Sequence, residues 1–358
     1  MMGRNVLFAL AVLLSGSAVG VTQTATRQPK IAAEVTVQEQ AGLWRITGQN
    51  VNVTIDTARL QVTFQNHSVR WQLAPSDQND LVLQIGDQRL PASLAAARTK
   101  VITPYSTGFS SGVKIELSRF ATAQPADVTV QLFITLETSR NDVVFQIVPV
   151  EKKTIVYACQ WPKPFVTESF DHTVVPFMQG MLLPRNWPQK VWLYETQAYA
   201  RGLYMPWWGH QQKGAAVLVL LETPDDGGCI FEHKENGPTV IGPKWENSLG
   251  TFRYPRRVRL VFHEQGNYVQ LAKTYRSYQQ QRGRLVTLKE KMARTPTVAK
   301  LIGSSVVHTS ILYHIEKESS YYHKNEPEKN HQLVTFAERT RQITEMKKLG
   351  IDQVYIHL

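Results

Sequence analysis

Aromatic residues are concentrated in one segment of the chain, from Gln160 to His210. This segment holds five of the eight tryptophans: Trp161, Trp187, Trp192, Trp207 and Trp208. Flat apolar rings with a polar edge are well suited to bind the C–H faces of sugars. Trp207, Trp208 and His210 are therefore predicted to bind substrate. The alternative, that such rings fill an interface between a β-sandwich and the domain after it, stays open.

Trp207 and Trp208 are adjacent, which predicts on which faces of a strand their rings lie. Consecutive residues on a strand point to opposite faces. If the segment around Trp207 and Trp208 is a strand, one of the two rings must lie outside the core of the sandwich.

Carboxylates near the aromatic segment are few: Glu168, Asp171, Glu222, Asp225 and Asp226. A glycosidase needs two carboxyl groups at a defined separation. Asp225 and Asp226 are adjacent in the sequence ETPDDGG, where turn formation or calcium binding explains them better than catalysis. No catalytic residue is predicted among these five.

Histidines are frequent near the end of the chain: His308, His314, His323, His331 and His357. The sequence contains no H-E-x-x-H helix motif and no G-x-S-x-G motif. In a (β/α) barrel, functional groups sit at the C-terminal ends of the strands. His308 and His357 fall at or near such ends and are predicted to bind substrate, the alternative being a structural role at the rim.

Cysteine usage is minimal, with Cys159 and Cys229 alone. Two cysteines could pair in an exported protein, but they do not form a disulfide framework. No CxxC motif and no Cys/His ligand spacing is present, so a structural zinc site is not expected. No metal-binding residue and no cofactor is predicted.

The alternation of apolar and polar residues predicts a β-sandwich over residues 34–265. Short alternating runs of this kind are typical of half-buried antiparallel strands, and a long series of them indicates a sandwich or barrel. The clearest runs are 51–55, 60–64, 69–73, 81–85, 113–117, 128–136 and 258–262. The fully apolar run Ala215–Leu221 is expected in the middle of the sandwich.

Residues 266–299 are predicted to be a helical, basic linker. Tyr268, Leu271, Ala272, Tyr275 and Tyr278 follow the spacing of an amphipathic helix. From Thr251 to Lys300 there are twelve Lys and Arg against two Glu, much of the net charge of +11. Such a block can bind an acidic glycan, form a solvated face or meet an acidic domain. With an export signal, nucleic acid is not expected as a partner.

Residues 300–358 show a strand, a crossover helix and a second strand. The first strand is expected within Leu301–Ser310 and the second at Gln353–Leu358. The helix is expected to carry Leu333, Phe336, Ala337, Ile343 and Met346 on one face, with Gly350 at its C′ position. This order implies parallel strands. Two strands cannot bury a parallel sheet, so the unit is predicted to be the start of a (β/α)8 barrel.

The N-terminal 20 residues have the pattern of a signal peptide. Arg4 supplies the positive region, Val6–Leu14 the apolar region, and residues 15–20 the small residues at which a signal peptidase could cut. The apolar run is too short for a comfortable membrane span. The protein is therefore expected to be exported, periplasmic or extracellular, with no stable membrane insertion after cleavage. An uncleaved anchor is the alternative.

Four stretches carry a family resemblance: QGMLLPRNWP (179–188), YMPWWGHQQKGAAVLVLLETPDD (204–226), the linker 268–292 and the final LGIDQVYIHL. Over residues 160–358 the chain resembles glycoside hydrolases of families 101 and 129, the α-N-acetylgalactosaminidase types and their relatives. The resemblance implies a mutarotase-like supersandwich in front of a (β/α)8 barrel. It also implies a retaining mechanism with an Asp nucleophile and a carboxyl acid/base on later barrel strands.

The sequence departs from that pattern because fewer than 60 residues follow Lys300, whereas a whole barrel needs about 250. The catalytic carboxylates are therefore expected beyond residue 358. We interpret the chain as the N-terminal part of an exported glycoside hydrolase that acts on O-glycosidic bonds of glycans and is inactive alone. The alternatives are a non-catalytic carbohydrate-binding sandwich and an interaction domain whose basic linker binds an acidic partner. The sequence indicates nothing about oligomeric state.

Overall fold

The computed structural model describes residues 35–137, 142–192, 196–197, 202–308 and 312–357. The predicted signal peptide, residues 1–20, lies outside the described residues. The chain divides into two compact units, one ending at Ala272 and the other beginning at Lys273. Within the described residues, no helix is both long enough and apolar enough to cross a membrane.

The first unit is almost entirely β-structure. Its strands in chain order are β1 (Thr36–Gln40), β2 (Leu43–Thr47), β3 (Asn52–Asp56), β4 (Gln61–Asn66), β5 (Val69–Gln72), β6 (Leu81–Ile85), β7 (Gln88–Ala92), β8 (Thr99–Ser106), β9 (Ser110–Ser118), β10 (Val128–Glu137), β11 (Asp142–Glu151), β12 (Ile155–Cys159), β13 (His172–Val175), β14 (Met181–Pro184), β15 (Val191–Trp192), β16 (Thr196–Gln197), β17 (Trp207–Gln212), β18 (Ala215–Leu221), β19 (Gly227–His233), β20 (Thr239–Glu246) and β21 (Arg256–His263).

These strands form three antiparallel sheets. Strands β1 to β5 make a five-stranded meander in chain order. The nine-stranded sheet has the order β14-β13-β17-β18-β21-β11-β10-β9-β8, and the seven-stranded sheet has the order β15-β19-β20-β12-β6-β7 with β16 beside β19. One hydrophobic cluster draws on all three sheets, for example through Phe64, Phe145 and Trp245. The β-sandwich predicted from the alternation pattern is confirmed.

Two predicted strands have the bounds that the sequence suggested. Leu81–Ile85 is β6, and Ala215–Leu221 is β18. All seven residues of β18 are buried, and β18 is the fourth of nine strands in its sheet. A strand that is covered on both faces needs apolar side chains at every position, which explains the uninterrupted run.

The side of the nine-stranded sheet that faces away from the core cluster is also covered at β17 and β18. Helix α1 (Tyr268–Gln281) begins after Asn267, whose side-chain oxygen accepts hydrogen bonds from the backbone N–H groups of Val269 and Gln270 at 3.0 and 3.3 Å. This is the usual way to satisfy the first donors of a helix. One turn later, Leu271 is fully buried and lies against Gly209 of β17.

The second unit combines helices with two small sheets. Its elements are α2 (Leu288–Arg294), a 3₁₀ helix (Pro296–Leu301), β22 (Ser305–His308), β23 (Leu312–His314), a 3₁₀ helix (Pro327–Asn330), β24 (His331–Leu333), α3 (Phe336–Lys348) and β25 (Val354–His357). Strands β22 and β25 pair in parallel, and β23 and β24 pair antiparallel. A parallel pair with a helix in the crossover is therefore present.

The ends of α3 follow from its sequence. The Thr335 hydroxyl accepts from the backbone N–H of Glu338 at 3.2 Å and caps the N-terminus. Gly350 has φ +89°, and the N–H of Ile351 donates to the carbonyl of Met346, which gives the left-handed C-terminal turn that favours glycine. One expectation is wrong: Leu333 lies in β24 and not on the helix. The antiparallel pair between the parallel strands was not predicted.

Candidate functional site

The aromatic and histidine group predicted to bind substrate lies on β17. Trp208 belongs to the central core cluster, whereas Trp207 points to the opposite face of the sheet and is outside that cluster. The two rings therefore lie on different faces, as the strand geometry requires. Both are buried, Trp207 at 3% and Trp208 at 1% exposure.

His210 is a core histidine. It faces the same interior as Trp208, and its ring lies 5.5 Å from that of Phe165 and 4.9 Å from that of Phe170. Its Nδ1 is 3.0 Å from the hydroxyl of Thr173, the residue directly opposite on β13. Complete burial lowers the pKa of His210 to about 3, so the ring is neutral at physiological pH.

Trp207, Trp208 and His210 were predicted to bind substrate because exposed aromatic rings can stack on sugars, and all three are buried. A sugar stacks on an aromatic ring only where one face of the ring is open to solvent. Trp207, Trp208 and His210 present no such face, so their positions give no support to the substrate-binding prediction. The sequence shows that a ring lies on the outer side of a sheet but does not show that this side is covered.

The other two predicted substrate-binding residues, His308 and His357, do lie together along the backbone. They are the last residues of β22 and β25, and they are register partners in the parallel pair. The His357 side chain is exposed. Parallel strands end at the same edge of a sheet, so this edge carries two histidines, as the sequence predicted for strand ends.

Glu222 lies at the end of β18 and binds two arginines of β21. Its Oε2 accepts from Nε of Arg257 at 2.9 Å, and its Oε1 accepts from Nε of Arg259 at 2.8 Å. The same guanidinium groups reach Glu137, and Arg259 also reaches Asp142 at 3.0 Å. Burial alone would raise the pKa of Glu222, but Arg259 and Arg257 hold it below its usual 4.5. A carboxylate held ionised in this way is unsuited to donate a proton as a general acid.

Asp226 has a structural partner as well. Its Oδ2 lies 2.6 Å from Nη2 of Arg256, and its Oδ1 accepts from the hydroxyl of Tyr254 at 2.6 Å. Arg256 is buried, with its guanidinium 3.5 Å from the ring centre of Tyr254 and 4.4 Å from that of Phe252. Three arginines of the basic block between Thr251 and Lys300 thus neutralise carboxylates of the sandwich. Less of the positive charge of this block is therefore left to attract an anionic partner.

A polar pocket that sequence reasoning missed lies at the open end of the β13–β14 hairpin. Its volume is about 310 Å³, and it is lined by Ser169, Phe170, Asp171, His172, Pro184, Arg185 and Asn186. The Arg185 guanidinium donates to the carbonyl of Glu168 at 2.7 Å, and Asp171 accepts from the backbone N–H of Lys213 at 2.9 Å. Such groups can hydrogen-bond sugar hydroxyls. The sequence did not indicate the pocket because its residues meet only when strands β13 and β14 pair.

The cysteines do not form a disulfide. Cys159 and Cys229 are both buried, and neither is part of a disulfide. Burial raises the pKa of Cys159 to about 12, so it stays protonated and unreactive. Across the described ranges, no group of three or more His, Cys, Asp or Glu side chains is arranged to hold a metal ion.

In comparisons with known proteins, the chain is similar to a glycosidase of known structure. The α-N-acetylgalactosaminidase NagBb from Bifidobacterium bifidum, in its GalNAc complex, is 32% identical over 88% of this chain, with a TM-score of 0.74. Its ligand-free structure is 31% identical over 88% of the chain, with a TM-score of 0.73. The chain spans 51% of the length of each of these structures. The resemblance to α-N-acetylgalactosaminidase-type glycoside hydrolases is confirmed. No protein-family model and no curated protein matches the chain.

Proposed function

We propose that this chain, a relative of the α-N-acetylgalactosaminidase-type glycoside hydrolases, is part of an exported enzyme that hydrolyses α-linked N-acetylgalactosamine from glycans. The observation that carries the proposal is the 32% identity to a glycosidase of that specificity across most of the chain. The relation to glycoside hydrolases follows from this similarity, whereas the substrate and the export of the enzyme are proposals.

Strands β22 and β25 supply one edge of the proposed site. Strands β22 and β25 are proposed as the first two strands of a (β/α)8 barrel, which holds its substrate at the C-terminal ends of its strands. His308 and His357 lie at that edge and are proposed to contact the glycan. Imidazole nitrogens can donate to or accept from sugar hydroxyls.

The two catalytic carboxylates are proposed to come from residues other than those described. The best-buried carboxylate near the aromatic segment, Glu222, is held ionised by Arg259 and Arg257. Asp226 is bound by Arg256 and Tyr254. The length comparison also supports this assignment, because the matched part of this chain covers only 51% of the similar enzyme. A retaining glycosidase needs its two carboxyls about 5–5.5 Å apart, one as nucleophile and one as acid/base.

The alternative of a non-catalytic carbohydrate-binding sandwich rested on sugar binding through Trp207 or Trp208. Trp207 and Trp208 are both buried, so that alternative loses the observation that favoured it. We therefore propose no second function for the sandwich.

Export is part of the proposal and has its own test. The expected result is a mature protein, recovered from the periplasm or medium, whose N-terminal sequence begins near Val21. Recovery of the intact N-terminus from the cytoplasm would contradict export.

The substrate is tested with the complete product of the gene. It is incubated with a peptide carrying α-linked N-acetylgalactosamine on serine or threonine, and the released sugar is identified by mass spectrometry. Peptides carrying α-galactose or β-linked N-acetylgalactosamine serve as matched controls. Release from the α-linked N-acetylgalactosamine peptide alone is expected. Equal release from all three, or from none, would contradict the proposal.

A further inference from the structure

Two histidines of the second unit face each other across the β23–β24 pair. His314 and His331 are register partners on these antiparallel strands, although they are 17 residues apart in sequence. Their Nδ1 atoms are 2.8 Å apart, and their ring centres are 4.0 Å apart. Both side chains are exposed, so an ion from solvent can reach them.

A carboxylate fixes which nitrogen of His314 carries the proton. Nε2 of His314 lies 2.9 Å from Oε1 of Glu316. An ionised carboxylate only accepts hydrogen bonds, so Nε2 must be the donor. In the neutral ring Nδ1 is then an acceptor, and its lone pair receives the hydrogen bond that Nδ1 of His331 donates. A histidine whose second nitrogen donates to a carboxylate is the arrangement found for histidine ligands of metals.

The backbone around the pair is held in place independently of the histidine side chains. Asn330, next to His331, is fully buried. Its side chain accepts from the N–H of His323 at 2.9 Å and donates to the carbonyls of His323 and Pro327 at 3.1 Å. Its own carbonyl accepts from the N–H of Ile315 at 2.9 Å, which fixes the residue after His314. The backbone that carries the two rings is therefore preorganised.

The distance between the nitrogens indicates which metals fit. Two imidazole nitrogens bound about 2.0–2.1 Å from one ion lie about 2.9 Å apart when they are at right angles, and about 3.4 Å apart in a tetrahedron. The observed 2.8 Å is the length of a hydrogen bond between the two nitrogens, and it is closer to the right-angled separation than to the tetrahedral one, so the right-angled arrangement needs less movement of the rings. Square-planar and tetragonal sites of this kind are typical of Cu²⁺ and Ni²⁺, and Cu²⁺ binds nitrogen ligands most tightly.

We propose that His314 and His331 form a two-histidine site for Cu²⁺, with water in the remaining coordination positions and Glu316 orienting His314. On binding, the proton on Nδ1 of His331 moves through solvent to Nε2 of the same ring, and a small rotation of both rings directs the two Nδ1 lone pairs at one ion. The proposal does not depend on the proposed glycosidase function. The sequence did not suggest it because neither histidine lies in a short ligand motif.

The test uses the full chain and CuCl₂. Titration followed by electron paramagnetic resonance should show a tetragonal Cu²⁺ site with hyperfine coupling to two imidazole nitrogens. His314→Gln and His331→Gln should each weaken Cu²⁺ affinity by at least about 10-fold, and Glu316→Ala should weaken it by about 10-fold or somewhat less. Lowering the pH should also weaken binding, because protons and Cu²⁺ compete for the same lone pairs.

His323→Gln is the matched control. His323 lies in the same loop, but the contacts that hold the loop use its backbone, so Cu²⁺ affinity should be unchanged. Circular dichroism shows whether each variant keeps its fold. The proposal is overturned if the double variant His314→Gln/His331→Gln, still folded, binds Cu²⁺ as tightly as the unaltered chain. A Cu²⁺ spectrum without two imidazole nitrogens would overturn it as well.

Discussion

Arg259 and Glu222 form a largely buried ion pair in the sandwich, with Nε of the arginine 2.8 Å from Oε1 of the glutamate. The Glu222 side chain is only 2% exposed, and its second oxygen is bound by Arg257. Replacing this glutamate by Gln leaves two guanidinium groups with less negative charge around them. Because Glu137 and Asp142 remain, Glu222→Gln is expected to reduce the free energy of unfolding by about 3 kcal/mol, the lower end for a broken buried pair.

The control for this variant is Glu246→Gln. Glu246 pairs with Lys244 at 2.8 Å, but both side chains are substantially exposed. The expected loss is therefore under about 1 kcal/mol. Denaturant unfolding measures both values. A loss for Glu222→Gln no larger than that for Glu246→Gln would show that the arginine network contributes little to stability.

The buried His210 should make stability depend on pH. Its pKa in the folded state is about 3, below the usual 6.5. The folded state therefore resists protonation, so this contribution is fully present above pH 6.5 and declines as the pH falls toward 3. Lowering the pH from about 7 to about 5 should reduce the free energy of unfolding by ~2 kcal/mol, because each pH unit below 6.5 removes about 1.4 kcal/mol of this contribution.

His210→Gln removes the titrating group and isolates this effect. The variant is expected to be less stable than the unaltered chain at neutral pH because its core packing changes. Its stability should nevertheless fall less between neutral and acidic pH. Urea unfolding at both pH values gives the comparison. Equal losses in the two proteins would mean that His210 does not resist protonation in the folded state.

Gly209 on β17 is required by the close approach of α1. A β-carbon at this position would overlap Cδ1 of Leu271 and would lie 2.9 Å from the carbonyl oxygen of Val217. Gly209→Ala is therefore expected to destabilise the sandwich by about 1–3 kcal/mol. In a Leu271→Ala background the same substitution should cost less, because one of the two clashes is gone. Identical costs in both backgrounds, measured by thermal unfolding, would contradict the proposed contact.

The sequence predicted the strands best where one physical rule determines the pattern. Strand β18 is apolar at all seven positions because it is covered on both faces, and its bounds were predicted correctly. Strand β1, TVQEQ, was not predicted individually because most of its side chains are exposed and impose no alternation. The β23–β24 pair was missed for the same reason, since Leu312 and Leu333 are both exposed.

The candidate site was harder to predict because it depends on which residues meet in space. The sequence indicated that Trp207 and Trp208 lie on opposite faces, which is correct, but not that both faces are covered. Arg256 and Asp226 are 30 residues apart, and the His314–His331 pair is 17 residues apart. Short motifs do not record contacts over such separations. His308 and His357 were predicted to lie at strand ends because a parallel crossover places strand ends at one edge.

The most direct test of the account compares hydrolysis of an aryl α-N-acetylgalactosaminide by two purified proteins. One is the 358-residue chain and the other is the longer gene product that the proposed function requires. The account predicts turnover by the longer product and none by the 358-residue chain, in which Glu222 and Asp226, two carboxylates near the aromatic segment, are bound by arginines. Turnover by the 358-residue chain would contradict the assignment of the catalytic carboxylates. Absence of turnover by the longer product would contradict the proposed enzyme itself.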